Sequence, residues 1–133
     1  MQILRYILVL MALSSSVYAE ENRDIVYDDF QLHTARTATH DGSFVSVDYY
    51  NTVSFDVSIS GTSAEVLFRI YGAGKIGWQN LLCTASDSET AATSTTASGL
   101  YTCNIAGGDA VSARIDECTS CTVSVVARRT TAV

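Results

Sequence analysis

The fold is decided by residues 99–126, which read GLYTCNIAGGDAVSARIDECTSCTVSVV. Apolar and polar residues alternate here in three short runs, around Cys103, Val111 and Val123, and two compact turns join the runs. A period of two is typical of β-strands that bury one face and leave the other in water. This stretch therefore predicts three consecutive strands.

The same alternation recurs upstream in residues 53–59 and 64–70, on either side of the predicted turn Ser60–Thr62. Val57 and Val66 fall on the faces of these strands that we expect to be buried. After residue 19, no stretch has a sustained apolar stripe with helical spacing. About eight short strands with Gly, Asn, Asp and Ser turns predict an all-β fold, an antiparallel two-sheet β-sandwich that is jelly-roll-like or Ig-like.

The N-terminal residues have a different character from the rest of the chain. The apolar run Tyr6–Leu13 is followed by small residues, with Val17 and Ala19 at the positions preceding a cleavage site. This layout is typical of a secretory signal peptide, and an uncleaved N-terminal anchor is the alternative. We expect a signal peptide at residues 1–19 and a single β-sandwich domain at 20–133, because the whole chain has a single-domain length.

The chain is acidic, with 8 basic and 14 acidic residues and a formal net charge of −6. Removal of residues 1–19 takes away Arg5, so 7 basic and 14 acidic residues remain and the charge becomes −7. Such a surface repels phosphate backbones and anionic headgroups. We therefore expect no nucleic-acid partner and, after signal removal, no membrane partner.

Four cysteines in an exported chain are expected to form disulfides, and three pairings are possible. We favour Cys83–Cys103 and Cys118–Cys121, since the first two follow apolar strand segments and the last two flank a two-residue turn. A redox CxxC motif needs a helix N-terminus to lower the pKa of its thiol, whereas the neighbours here are acidic residues and a valine-rich strand. Zinc would need two further ligands near the motif.

No catalytic or metal-binding constellation stands out. His33 and His40 lie on a polar stretch without helical spacing, and we expect both on the solvated surface. Asp28 and Asp29, with Asp24, lack the glycine and spaced carboxylates of a calcium loop and predict a solvated acidic patch. No serine lies in a Gly-x-Ser-x-Gly elbow. The prediction is a non-enzymatic protein without cofactor or metal.

The aromatic residues are the remaining candidates for ligand binding. Trp78 and Phe68 are expected in the core, as large aromatic residues usually are. Tyr50 and Tyr71 fall on the alternate face, where core packing and contact with a sugar both remain open. Residues 84–98 are almost entirely Thr, Ser and Ala, and we expect them to form an exposed, mobile loop.

Residues 53–127 resemble a small β-sandwich module that recurs in tailed-phage virion proteins of the fibre or decoration type. The resemblance is carried by residues 99–107, by residues 111–115 with their arginine, and by the Thr-Ser turn at 119–120 before the last strand. It implies a structural or display module of a virion or extracellular assembly, with self-association or other assembly subunits as partners.

The expected signal peptide implies export. The chain is therefore expected to be extracellular or on a virion surface, with the periplasm as a further location. An exported viral protein and a bacterial surface protein that uses the same module both fit this combination. The alternative function is a secreted carbohydrate-binding or cell-surface-binding module that uses its exposed aromatic residues, with a glycan as the partner.

Overall fold

The computed structural model describes residues 25–105 and 107–132, with side chains described for 28–105 and 107–130. The predicted signal peptide at residues 1–19 lies outside the described residues. Every regular element of the described part is a β-strand. None of the described residues forms a helix long and apolar enough to cross a membrane.

The described residues form nine strands, two of which are much longer than the others. They are β1 (Ile25–Arg36), β2 (Phe44–Ser46), β3 (Thr52–Gly72), β4 (Trp78–Asn80), β5 (Cys83–Ala85), β6 (Ala91–Ala92), β7 (Ser94–Thr95), β8 (Gly99–Asn104) and β9 (Gly108–Ala132). All pairings between them are antiparallel.

Strands β3 and β9 pair along almost their whole length, from Thr52 opposite Thr130 to Gly72 opposite Gly108. The beginning of β3 also pairs with β8, and the end of β9 pairs with β1; together with β5 and β6 they form the first half-sheet. The end of β3 pairs with β4 and β7, and the beginning of β9 pairs with β2; these form the second half-sheet. One long two-stranded ribbon is therefore shared by both half-sheets.

The core lies where the two half-sheets face each other. Phe55, near the start of β3, stacks on Phe68, near its end, with ring centroids 5.1 Å apart. Tyr101 of β8 lies 5.2 Å from Phe68. Val57 and Val66 are buried as expected. The other core residues of the two long strands follow the same alternation and are Val53, Ala64, Ile70, Val111, Ala113, Ile115, Cys121, Val123, Val125 and Ala127. The structure confirms the all-β antiparallel fold.

The predicted turns at 60–62 and 118–121 are wrong, because the chain continues through both as bent strand. Gly61 has φ +109° and lies opposite Cys121 in the ladder, and Ser120 has φ +45°. A Cβ on Gly61 would lie 2.7 Å from the Cys121 Cα and closer still to the Ser120 carbonyl oxygen. Left-handed residues allow a sharp change of direction without loss of strand pairing. The four strands predicted on either side of these turns are therefore joined in pairs, as the two long strands β3 and β9.

Two disulfides hold this framework, with the same pairing as that favoured from the sequence. Cys83 and Cys103 are opposite each other on β5 and β8, with Cα atoms 4.3 Å apart, and both are buried. Cys118 and Cys121 lie 5.4 Å apart at the bend of β9. No free cysteine occurs among the described residues. One disulfide therefore joins neighbouring strands, and the other closes the bend.

Residues 84–98 are not the uniform loop that their composition predicts. Residues 86–92 and 96–98 are exposed, but 93–95 are half-buried and include strand β7. The Phe68 N–H donates to the Thr93 carbonyl at 2.9 Å, and the Ile59 N–H donates to Ser98 Oγ at 2.8 Å. Threonine is a good strand former, so a Thr-rich segment beside an open strand edge can pair with it.

Candidate functional site

Three exposed aromatic residues lie together on the outer face of the second half-sheet. Strand register places two rows of outward residues across β2, β9, β3 and β4. One row is Phe44, Ser112, Arg69 and Asn80, and the next is Ser46, Ala110, Tyr71 and Trp78. The middle of this face thus carries two small residues, with large aromatic residues around them.

The Trp78 ring contacts the rings of both Tyr71 and Phe44. The Trp78 ring centroid is 5.4 Å from that of Tyr71 and 6.3 Å from that of Phe44. Phe44 is 69% exposed, Tyr71 42% and Trp78 37%, whereas Ser112 and Ala110 are buried. Since Phe44 and Trp78 come from strands on opposite sides of β9 and β3, their contact covers the small side chains between them. We call the rings of Phe44, Tyr71 and Trp78 the aromatic cluster.

A groove of about 320 Å³ opens beside the aromatic cluster. Its lining consists of Asp41, Gly42, Phe44, Arg69, Trp78, Ser112 and Arg114. Arg114 pairs with Asp41 at 3.5 Å and with Asp116 at 3.6 Å. The Ser112 hydroxyl donates to the Ser43 carbonyl at 2.8 Å. Both side chains are therefore held by neighbouring groups of the protein.

Arg69 is held less completely. Within the described part of the chain, its Nη2 donates a long hydrogen bond, 3.5 Å, to the Trp78 carbonyl, and its buried Nε has no partner. No carboxylate of the described residues forms an ion pair with it. Arg69 therefore brings an uncompensated positive charge to the groove.

The core position predicted for Trp78 is wrong. Trp78 lies opposite Tyr71 on the short strand β4, and this register turns its ring outward; Leu81, three residues later, is buried instead. Phe68 does lie in the core. Phe44 was missed as a candidate, although its alternation with Val45 and Val47 already indicates an outward position.

The two tyrosines proposed as ligand contacts belong to different clusters. Tyr71 is part of the aromatic cluster, but the Tyr50 hydroxyl donates to Asp28 at 2.5 Å. The Arg129 guanidinium lies 4.4 Å from the Tyr50 ring centroid and 4.3 Å from that of Phe30, and it pairs with Asp28 at 2.9 Å. Tyr50 is thus occupied in a network that ties β1, β9 and the connection before β3 together.

This network explains the electrostatics of the acidic pair on β1. The hydrogen bond from Tyr50, helped by Arg129, lowers the pKa of Asp28. The same hydrogen bond raises the pKa of Tyr50, against the opposing effect of the Arg129 charge. The Arg128 side chain, 2.7 Å from Asp29, lowers the pKa of Asp29. Both carboxylates are partly exposed, as the predicted solvated acidic patch requires, but they face arginines across the β1–β9 ladder, so their charge is compensated.

The surface position predicted for His33 is also wrong. Its side chain is buried, its Nε2 donates to the Ala113 carbonyl at 2.5 Å, and its Nδ1 has no partner. Burial lowers the pKa of His33, and the nearby His40 and Arg36 charges lower it further. Irregular pairing of β1 on both sides of this residue lets the ring reach the core. His40 is exposed, as expected.

The ring centroids of the two histidines are 5.7 Å apart. Among the described residues, no group of three or more His, Cys, Asp or Glu side chains could hold a metal ion.

Comparison with known proteins identifies the fold. No protein-family model matches the sequence, and no curated protein matches it. The SPBc2 prophage-derived protein YomS aligns with a TM-score of 0.72 and 21% identity, over 80% of this chain and 95% of YomS. The PBSX exported protein XepA aligns with a TM-score of 0.75 and 20% identity, over 80% of this chain and 38% of XepA. The chain shares its fold with these two proteins.

Proposed function

We propose that this chain is a non-enzymatic display module, exported or carried on a virion surface, whose groove beside the aromatic cluster binds another molecule. The observation that carries this proposal is the contact of three exposed rings on one open sheet face. Single exposed apolar residues are common on proteins, whereas the largest contiguous apolar patch of a monomer, about 300–600 Å², is often functional.

The groove lining favours binding over catalysis. Its hydroxyl, Ser112 Oγ, is buried and donates to a backbone carbonyl, so no base within the lining takes its proton. Nucleophilic catalysis needs a hydroxyl that is hydrogen-bonded to a base. The acidic side chain of the lining, Asp41, is paired with Arg114.

The disulfides support export and a rigid body. Disulfides persist in oxidising compartments and are rare in the cytosol. The Cys118–Cys121 bond closes the bend of β9, and the Cys83–Cys103 bond joins strands of the first half-sheet. The fold also covers nearly all of YomS and 38% of XepA, which supports treating residues 25–132 as a module that occurs alone or within a longer chain.

The test compares Trp78→Ala with Leu100→Ala, which removes an exposed apolar side chain from β8, outside the groove. Binding to a glycan array and molar mass by light scattering are measured for wild type and both variants. We expect wild type to bind a partner in at least one assay, Trp78→Ala to lose that binding and Leu100→Ala to keep it. Equal behaviour of the two variants, or no binding by wild type in either assay, would overturn the proposal.

A second candidate function is subunit assembly through the edge strand β1. In the described part of the chain, β1 pairs with β9 along one side only, over twelve residues. Edge strands are usually protected by charge or proline, but Asp28 and Asp29 are paired with arginines and the chain has no proline. Light scattering of Thr34→Lys should show a smaller molar mass than that of wild type, while Thr102→Lys on the interior strand β8 should not.

A further inference from the structure

We propose that the ligand of the groove is a saccharide that carries a carboxylate, with Phe44 and Trp78 against the sugar ring and Arg69 paired with the carboxylate. This inference rests on the proposed function, since it names the ligand class of the same groove. It is argued from the size of the site, the state of Arg69 and the local charge.

The size of the site suits a small ligand. A volume of about 320 Å³ lies at the lower end of the range for small-molecule sites, about 300–1,000 Å³. The exposed fractions of the aromatic cluster are 69%, 42% and 37%. They add up to about one and a half side chains, or roughly 300 Å². A stable protein interface needs about 800 Å² from each partner, so the rings alone do not supply one.

The aromatic rings select a ligand with an apolar face. An aromatic ring presents a flat surface that packs well against the C–H face of a pyranose. Trp78 and Phe44 are inclined at 61° to each other, so they form two walls instead of one flat platform. A sugar ring can contact one wall while its polar substituents reach Arg69 in the groove lining.

Arg69 selects a carboxylate. The three described arginines of β9, Arg114, Arg128 and Arg129, each pair with aspartates, whereas Arg69 on β3 has no such partner in the described residues. A guanidinium group offers a planar fork of donors that matches the two oxygens of a carboxylate. A ligand carboxylate would supply the charge partner that the protein does not.

The local charge favours one acidic group over many. The groove lining contains two arginines and one aspartate, and Asp116 pairs with Arg114 from beside the lining, so Arg69 is the arginine of the groove that no described carboxylate compensates, in a chain of net charge −6. Charges beyond about 8 Å are screened at physiological ionic strength, so the nearby arginine dominates for a single carboxylate. A densely charged polyanion would extend over the acidic surface. Arg114, already shared by Asp41 and Asp116, offers little additional compensation.

The test uses short oligosaccharides that end in glucuronic acid or in sialic acid, together with the same compounds after reduction of the carboxyl group to an alcohol. Affinities for wild type, Arg69→Gln, Arg69→Lys and Arg36→Gln are measured by calorimetry. Arg36 is an exposed arginine of β1 outside the groove lining and serves as the matched control. Thermal unfolding verifies that each variant is folded.

We expect wild type to bind at least one acidic probe and to bind its reduced counterpart about ten- to a hundredfold more weakly, the usual effect of one charge-assisted pair. Arg69→Gln should bind the acidic and reduced probes equally, and Arg69→Lys should fall between Gln and wild type because it keeps the charge but not the fork. Arg36→Gln should bind as wild type does. Preference for one acidic probe would identify the source of the carboxylate.

Other outcomes separate this inference from the proposed function. Equal binding of acidic and reduced probes by wild type would overturn the carboxylate inference and leave the groove as a saccharide site. No binding of any saccharide, together with self-association that Trp78→Ala abolishes, would overturn it and leave the groove as a contact surface. An equal loss of affinity for the acidic probe in Arg69→Gln and Arg36→Gln would also overturn the carboxylate inference.

Discussion

Substitution of Gly61 by alanine tests the bend that turns one sheet into two facing halves. Gly61 has φ +109°, and an added Cβ would meet backbone atoms of Ser120 and Cys121 on the paired strand. Gly74 is the matched control, because it also has a positive φ, +79°, but an added Cβ there meets nothing within 4 Å. The comparison therefore isolates the close approach of two backbones at the bend.

The expected changes in unfolding free energy combine two terms that both substitutions share with a steric term that only Gly61→Ala carries. Each forces alanine into a left-handed conformation, at about 1–2 kcal/mol, and each recovers about 0.4–1 kcal/mol from the stiffer unfolded chain. Gly74→Ala should thus lower the free energy of unfolding by at most about 1.6 kcal/mol. Gly61→Ala carries these terms plus steric overlap with rigid backbone, a further 1–3 kcal/mol or so.

The assay is urea denaturation of the oxidised proteins, followed by circular dichroism. We expect the midpoint for Gly61→Ala to lie clearly below that for Gly74→Ala, with the difference in unfolding free energy at about 1–3 kcal/mol. Equal midpoints would refute the reasoning, because they would show that the strands at the bend can separate at no cost. A higher midpoint for Gly61→Ala would refute it more directly.

Three further predictions concern buried groups and the chain terminus. Below about pH 6.5, the unfolded chain binds a proton on His33, whereas the buried imidazole does not, because burial lowers its pKa. The urea midpoint should therefore fall as the pH drops from 7 to 5. His33→Gln should reduce this pH dependence, and an equal pH dependence of the midpoint in the variant and wild type would contradict the prediction. Replacement of Cys83 and Cys103 by alanine removes a link across 20 residues, which is worth about 3 kcal/mol in the chain-entropy model. Loss of the three-residue Cys118–Cys121 link should cost less. Calorimetry should therefore give the lower melting temperature for the Cys83/Cys103 double variant, and a lower melting temperature for the Cys118/Cys121 double variant would contradict this. Intact mass of the exported protein should place its first residue at or near Glu20, and a mass that begins at Met1 would instead indicate an uncleaved anchor.

Alternation in the sequence was enough to predict the buried faces within the two long strands, although not where those strands begin and end. Val57 and Val66 are buried because a strand places every second residue on one side, a rule that depends only on neighbours in the chain. The pairing favoured for the cysteines also came from local signals, namely strand ends and a short turn. Tertiary structure was not needed for either.

The bends show a feature that the local sequence does not determine. Gly61 and Ser120 are residues that tight turns use, and they adopt left-handed conformations here, yet the ladder of β3 and β9 continues past both. A local sequence supplies the conformational freedom. Only the partner strand, which bends at the same place, decides whether that freedom makes a turn or a bent strand.

The groove could not be predicted without the order of the strands in the sheet. Phe44 and Trp78 belong to two different short strands that never pair with each other, and they meet because β9 and β3 lie between those strands in that order. The burial of His33 likewise depends on irregular pairing between β1 and β9. The sequence by itself determined which side chains share a face of each strand, because backbone geometry repeats every two residues. Tertiary structure alone decided which strands became neighbours, because pairing joins residues that are far apart in the chain.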